Sequence, residues 1–261
     1  MDHSESMSGG PFFWRLELCW DGTDWSGWQR QPSVPTIQEA VEEVLKRIVG
    51  ETIAVMAAGR TDAGVHASHQ VSSFQTKKNI DPSIVLRGMN ALLPQSILIL
   101  RLELAPKGFH ARLWSTKKLY RYRWITGQRK CPFRSRYAWV WGQELDFELM
   151  SSVVPLFVGQ HDMSGFRAQG CTAKSTVRTI ESARLFYQDD ELHFEIEGNG
   201  FLRHQVRIMA GTLFDIGRGK IPADRVQELL DHGDRRRGGR TAPPQGLWLI
   251  KSWVANSPRA V

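Results

Sequence analysis

The stretch FFWRLELCW, residues 12–20, together with TIQEAVEEVLKRIVG, residues 36–50, sets the first two elements of the chain. In the first stretch, apolar side chains alternate with other residues, which predicts a strand with one buried face. In the second, Thr36 and Glu39 form a capping box, apolar side chains recur at helical spacing and Gly50 supplies a stop. The chain is therefore expected to open with a strand and a capped amphipathic helix.

The remainder of the first half extends this pattern. Short apolar segments at residues 53–58 and 70–75 predict two strands, Asp81 and Pro82 open a second helix, and residues 97–104 predict a further strand. The resulting order, β-α-β-β-α-β, is typical of the split βαβ or ferredoxin-like fold, in which both helices cover one face of an antiparallel sheet.

The second half contains a similar mixture of strands and helices. Strands are predicted at residues 118–125, 137–141 and 247–254, a hairpin at 177–187 and 192–197, and helices at about 147–158, 201–216 and 222–230. We therefore expect an α+β fold of two ferredoxin-like halves with antiparallel sheets and a central basic cleft. The expected divisions are a flexible tail at residues 1–10, an N-terminal domain at 11–110, a C-terminal α+β domain at 111–256 and a tail at 257–261.

Composition limits the class of protein and its surroundings. The chain has 261 residues and no apolar run approaching the ~20 residues that span a bilayer, and its polar beginning does not resemble a secretory signal. Its three cysteines lie far apart and form no CxxC pair, so neither a zinc site nor a disulfide framework is indicated. A cytoplasmic protein that needs no metal is expected.

Positive charge is concentrated between residues 107 and 136, where ten Lys or Arg side chains occur without any Asp or Glu. Six aromatic residues are interleaved with them, as in proteins that bind unpaired RNA bases. The alternative is a solvated basic surface whose aromatic residues face the core. The missing acidic residues favour a polyanion partner, with Lys117, Lys118 and Arg121 as contacts.

The run GRTDAGVHA, residues 59–67, carries the most informative carboxylate, Asp62. Its glycines permit sharp turns and a close approach by substrate, and Arg60 nearby favours an ionised carboxylate. The residues alone leave a base, a nucleophile or a ligand as possible roles. His66 and His69 lack the further ligands and spacing of a metal site, so a metal is not expected here.

Two further segments contain candidate site residues. Alternation in residues 118–125 places Tyr120 on an aromatic face, where it could stack on a base or be an ordinary buried sheet tyrosine. In residues 198–220, Arg203 and Arg207 are four apart on the expected helix, and Arg207 could hold a carboxylate or phosphate or simply face solvent. The run Arg235–Arg237 is interpreted as a solvated surface that contacts RNA at most transiently.

Several other reaction classes find no support in the sequence. GRGK at residues 217–220 lacks the spacing and the hydroxyl residue of a phosphate-binding loop, and no dinucleotide signature is present. A serine hydrolase elbow of the type GxSxG is also absent. A methyltransferase would require a cofactor loop that the sequence does not contain.

Five segments, taken in chain order, resemble the bacterial tRNA pseudouridine synthase A family. They are WDGTDWSGWQRQP with TIQEAVEEVL, AAGRTDAGVHA, FHARLWSTKKLYRYRW, FLRHQVRIMAGTLFDIGRGK and TAPPQGLWL, spread between residues 12 and 254. The resemblance implies a pseudouridine-synthase fold and a cofactor-free isomerase that acts on uridines 38–40 in the anticodon arm of tRNA. It also implies a homodimer whose two subunits together build the tRNA-binding cleft.

The resemblance further implies roles for individual residues. Asp62 would be the catalytic carboxylate, Arg207 its ion-pair partner, and Arg60 the side chain that fills the space of the everted nucleotide. Tyr120 would stack on the target uracil and Leu247 would pack beneath it. Gln205 stands where methionine is common, which leaves open how its helix packs. A non-catalytic RNA-binding protein with the same paired halves would have no need for Asp62.

Overall fold

The computed structural model describes residues 10–255, in which ten strands and five α-helices are formed. The strands are β1 (Phe12–Trp20), β2 (Met56–Ala57), β3 (His66–Thr76), β4 (Ile97–Leu104), β5 (Ser115–Ile125), β6 (Trp139–Val140), β7 (Gly159–Asp162), β8 (Val177–Gln188), β9 (Glu191–Gly198) and β10 (Leu247–Val254). The helices are α1 (Ile37–Val49), α2 (Pro82–Leu92), α3 (Phe147–Val153), α4 (Gln205–Gly217) and α5 (Arg225–His232). The predicted tail at 257–261 lies outside the described residues, as does the tail at 1–10 except for Gly10.

The predicted order of the first half, β-α-β-β-α-β, is confirmed. Thr36 caps α1 by accepting a hydrogen bond from the backbone N–H of Glu39, and Gly50 ends the helix with φ of 79°. The Glu39 carboxylate does not complete the capping box as expected but lies 3.5 Å from Arg30. β1 buries alternate side chains from Trp14 to Trp20, because only one face of the sheet is covered by α1 and α2.

Three predicted boundaries in the second half were wrong. The helix expected from about residue 201 begins only at Gln205, because His204 has φ of 59°, a left-handed conformation that a helix cannot include. Arg203 therefore precedes α4 and does not share a helical face with Arg207. The helix expected over residues 147–158 ends at Val153 and continues as a 3-10 turn, and the helix expected at 222–230 is shifted to Arg225–His232.

Eight strands form one continuous path in the order β4-β1-β3-β10-β5-β9-β8-β7, with β2 paired to β3 and β6 to β5. The group β4-β1-β3-β2 and the group β10-β5-β9-β8 repeat the same ferredoxin-like order. Most neighbours are antiparallel, as expected, but β10 pairs with β3 in parallel through Trp248 opposite His66 and Leu249 opposite Ala67. The division into domains at residues 110 and 111 stays a prediction, since the sheet runs unbroken across both halves.

The helices of both halves cover the same face of this sheet. Buried side chains of α1 and α4, such as Leu45 and Phe214, belong to one hydrophobic core together with Tyr122 and Trp124 of β5. The opposite face carries a smaller apolar cluster around Phe109 and Trp114. Between α1 and the start of α4 lies a cleft whose lining includes residues of β2, β5 and β10.

Gly211 allows α4 to touch the chain that precedes β10. A Cβ atom on Gly211 would lie 1.8 Å from the carbonyl oxygen of Arg240. We expect Gly211→Ala to lower the free energy of unfolding by about 1–3 kcal/mol or more, because backbone must move to admit the methyl group. Urea denaturation followed by circular dichroism measures this.

Gly88→Ala in α2 is the matched control. Its Cβ would meet only the end of the Ile48 side chain, at 3.1 Å, and alanine favours the helix over glycine by up to about 1 kcal/mol. A Gly211→Ala variant that is as stable as Gly88→Ala would contradict the close packing of α4.

Candidate active site and nucleic-acid interface

Asp62 lies in the loop between β2 and β3, and this loop is held by the segment that follows β1. The backbone N–H of Trp28 donates to the carbonyl of Thr61 at 3.1 Å, and the N–H of Gly64 donates to the carbonyl of Trp25 at 3.1 Å. Gly27, with φ of 89°, packs so closely that a Cβ would lie 2.6 Å from the Thr61 carbonyl. The loop is therefore fixed by backbone contacts in addition to the burial of Ala58 and Val65 at its two ends.

The structure brings Arg207 of α4 to Asp62. Nη1 of Arg207 lies 3.2 Å from Oδ2 of Asp62, and its Nε donates to the carbonyl of Ala242 at 2.8 Å. The N–H of Ala242 in turn donates to the carbonyl of Arg207 at 3.0 Å. The guanidinium is thus held at two points, so that the ion pair has a defined direction.

His204 is a site residue that the sequence patterns did not indicate. Its Nε2 atom lies 3.5 Å from Oδ1 of Asp62, the oxygen on the side away from Arg207. Burial lowers the pKa of His204, the charge of Asp62 acts in the opposite direction, and Arg207 adds to the lowering. The available sequence signal was that His204 lies three residues before Arg207. The helix predicted from about residue 201 obscured this signal, because it gave His204 an ordinary helical position.

Tyr120 and Leu247 both line the cleft. Tyr120 is 7% exposed and packs edge-to-face against Phe201 with ring centroids 5.1 Å apart. Burial, and after it the negative charge of Asp62, raises the pKa of Tyr120 well above its ordinary value. Tyr120 is therefore both a core tyrosine and a neutral phenol beside the carboxylate.

The cleft itself has a volume of about 1530 Å³ and is lined by residues of both halves, including Arg60, Asp62, Tyr120, Arg203, Arg207 and Leu247. This exceeds the ~300–1,000 Å³ usual for small-molecule sites. A segment of a polymer can enter a space of this size while one of its units reaches Asp62.

The basic stretch between residues 107 and 136 is divided between the two faces of the sheet. Lys118 is buried and lines the cleft, where its Nζ donates to Oγ of Ser115 at 2.8 Å. Lys117 and Arg121 point away from the cleft and pair with glutamates of β9: Lys117 lies 2.7 Å from Glu197, and Arg121 pairs with Glu195. The stretch itself contains no acidic residue, but glutamates of the neighbouring strand β9 pair with Lys117 and Arg121.

Arginines that line the cleft have a different environment. Arg60, Arg112 and Arg203 are exposed there, and Arg178 donates to the carbonyls of Ser175 and Val177. Among the ion pairs formed within residues 10–255, none includes any of these four arginines. Their positive charge is available to an anionic partner, and for Arg178 no sequence pattern indicated this.

Gln205 fits its position at the start of α4. The side chain is buried, its Oε1 accepts the N–H of Leu202 at 2.8 Å, and its Nε2 lies 3.8 Å from Sδ of Met209. The amide therefore accepts the hydrogen bond of the Leu202 N–H, which a methionine side chain could not do.

Neither a metal centre nor a membrane span is found in the part of the chain that the structure describes. In residues 10–255 no group of three or more His, Cys, Asp or Glu side chains is arranged to hold a metal ion. No helix in the same range has both the length and the apolar character needed to cross a membrane.

A fixed carboxylate in a large cleft, with four arginines nearby that pair with no acidic residue in the described range, is the arrangement expected of an enzyme that acts on a nucleic acid. The family model described as "tRNA pseudouridine synthase" matches residues 20–112 and 153–252. The chain therefore belongs to the tRNA pseudouridine synthase family, whose members are isomerases.

Similar proteins agree with this assignment. The chain is 39% identical over 245 residues to tRNA pseudouridine synthase A of Syntrophotalea carbinolica, covering 94% of this chain and 96% of that protein. It is 40% identical over 247 residues to the protein of the same name from Myxococcus xanthus, covering 94% and 93%. A Geobacter protein of that name is 41% identical over 238 residues, covering 91% and 96%.

His66 supports the segment that holds the Asp62 loop. Its buried ring accepts the N–H of Gly22 on Nδ1 at 3.0 Å, and Nε2 lies 3.0 Å from the carbonyl of Arg136. Burial lowers the pKa of His66 despite Asp21 at 3.2 Å, which acts in the opposite direction. The neutral ring is therefore the form that the fold uses.

Lowering the pH should weaken the support that His66 gives to the segment holding the Asp62 loop. Because the folded chain lowers the pKa of His66, the unfolded chain binds more protons below about pH 6.5, and acidification through this value favours unfolding. We expect the urea midpoint to fall less between pH 7.5 and 5.5 in His66→Asn, whose amide oxygen accepts the Gly22 N–H without titrating. Equal pH dependence in both proteins would show that His66 has no such effect.

Proposed function

We propose that this protein isomerises uridine to pseudouridine at positions 38–40 in the anticodon arm of tRNA, with Asp62 as the catalytic carboxylate. The observation that carries the proposal is the ion pair between Asp62 and Arg207 beside Tyr120. These three side chains come from a loop, a helix and a strand that are far apart in sequence. Their convergence in a cleft that contains arginines with no ion-pair partner among residues 10–255 supports chemistry on RNA.

The reaction requires no co-reactant. The bond between N1 of uracil and C1′ of ribose breaks, the base turns, a bond forms between C5 and C1′, and a proton leaves C5 for solvent while N1 gains one. Asp62 can assist by attack on the ribose, by attack on the base or by removal of a sugar proton. Each route needs a carboxylate oxygen that Arg207 does not engage, and Oδ1 lies opposite the Arg207 contact.

The neighbouring residues fit the roles that the resemblance implies. Tyr120 offers a neutral ring and phenol to the uracil, and Leu247 supplies apolar surface beneath it. Arg60 is exposed on the Asp62 loop and would fill the space left by the everted nucleotide, a step that costs a few kcal/mol. The remaining parts of the proposal, a homodimer and a cytoplasmic location, follow from the same resemblance.

In this proposal, the RNA backbone runs along the cleft. Arg60, Arg112, Arg178 and Arg203 support this path because they line the cleft and form no ion pair within the part of the chain that the structure describes. Lys118 lines it as well, whereas the positions of Lys117 and Arg121 give no such support. Contacts to the phosphate backbone therefore differ from those expected from the basic stretch alone.

Replacing Asp62 with alanine should separate binding from chemistry. We expect Asp62→Ala to bind tRNA with near-normal affinity and to release tritium from C5-labelled uridine slower by roughly 10⁴-fold or more. Asp24→Ala is the control, since Asp24 is exposed outside the cleft and pairs with Arg136 at 3.1 Å.

A wild-type protein that binds tRNA but releases no tritium from any tRNA would refute the enzymatic proposal. It would favour the non-catalytic RNA-binding alternative. Single tRNAs with substituted uridines at positions 38–40 would show in the same assay which sites are modified.

A pair of double variants tests the path of the RNA. We expect Arg178→Gln with Arg203→Gln to weaken tRNA binding and to flatten its salt dependence by about one unit of slope for each phosphate that is no longer neutralised. Lys117→Gln with Arg121→Gln removes two charges from the opposite face and should change the slope little. The reverse result would place the RNA on the face that carries Lys117 and Arg121.

A further inference from the structure

The two oxygens of the Asp62 carboxylate have different neighbours. Oδ2 faces Nη1 of Arg207 at 3.2 Å, whereas Oδ1 faces Nε2 of His204 at 3.5 Å. The side chains of His204 and Asp62 are 26% and 27% exposed, so both are screened from solvent but open to the cleft. An imidazole at this distance is one small adjustment from a hydrogen bond to Oδ1.

The backbone at His204 is not explained by the start of the helix. His204 occupies the N-cap position of α4 with φ of 59° and ψ of 6°, yet its side chain makes no capping hydrogen bond. Left-handed backbone is unfavourable for residues with a Cβ and persists where surrounding structure enforces it, often at functional sites. At His204 this conformation turns the imidazole away from the helix end and toward Asp62.

The charged and titratable groups that face His204 are Asp62, Arg207 and Arg203. Burial and the two arginines lower the pKa of His204, and they outweigh the attraction of Asp62. The ring is therefore neutral at neutral pH. A neutral ring can donate a hydrogen bond from Nε2 without adding a second positive charge next to the carboxylate.

We propose that His204 is a positioning residue that holds Oδ1 of Asp62, so that the carboxylate presents one orientation to the nucleotide. This inference rests on the proposed function, since Asp62 must be the reacting group. Protonation would convert the contact into a second ion pair and would draw the negative charge of Oδ1 toward His204. Activity is therefore expected to need the neutral ring.

Asparagine and glycine are suitable replacements, because both accept positive φ more readily than alanine. His204→Asn keeps a short N–H donor that does not titrate, and His204→Gly removes the side chain without backbone strain. We expect His204→Gly to lose roughly 10- to 100-fold in kcat for tritium release with KM for tRNA nearly unchanged, as for a misplaced catalytic group. His204→Asn, whose amide is shorter than imidazole, should recover part of this loss at pH 7.5.

The pH profile distinguishes positioning from a purely structural role. In the wild type, kcat should fall as pH drops below the ordinary histidine value of about 6.5, since the ring becomes charged. In His204→Asn this acidic limb should move to lower pH. Circular dichroism and tRNA affinity of both variants establish that they fold and bind.

Wild-type kcat in a folded His204→Gly variant would overturn the positioning role. An acidic limb at the same pH in His204→Asn and the wild type would overturn the requirement for a neutral ring. Should His204→Gly fail to fold, the profile of His204→Asn still decides. Tritium release by the wild type tests the proposed function separately, so failure of one proposal is distinguishable from failure of the other.

Discussion

The parallel pairing of β3 with β10 is the constraint on which the site depends. Since the two strands run in the same direction, the loops that precede them meet at the same edge of the sheet. The loop before β3 carries Asp62, and the segment before β10 contains the Ala242 carbonyl that holds Arg207. An antiparallel pair would place these loops at opposite edges. The junction between the two halves thus builds the site, and neither half contains it alone.

Charge in this protein is organised by the faces of the sheet rather than by position along the chain. Residues that alternate on β5 face either the cleft or the glutamates of β9, and those on the β9 side find partners such as Glu195 and Glu197. Most of these pairs are partly exposed and contribute little to stability. Their consequence is electrostatic, because they neutralise charge on the face of the sheet opposite the cleft, whereas Arg60, Arg112, Arg178 and Arg203 in the cleft form no ion pair with any residue in the range 10–255. The net charge of +7 therefore understates how strongly this one surface attracts a polyanion.

Local patterns in the sequence predicted local structure well. Alternation identified β1 and β5, and the Thr36 cap and Gly50 stop delimited α1, since each depends on residues within a few positions. The site required contacts between distant residues, and only the resemblance paired Asp62 with Arg207. Periodicity could not detect the left-handed backbone at His204, because a histidine in a helical pattern favours no such turn. Nor could charge counting detect that β9 neutralises Arg121.

The environment of Asp62 explains why a cleft built from two halves suits this site. A carboxylate in the core of one domain would require a partner for each oxygen, and a second ion pair would leave neither oxygen to react. Here Arg207 is directed by a backbone carbonyl and compensates one oxygen. The other oxygen faces an imidazole that burial keeps neutral and a cleft that remains open. The negative charge of Asp62 is therefore partly compensated, and it remains available to a substrate. Such partial compensation requires several elements to approach from different directions, which the joined sheet provides.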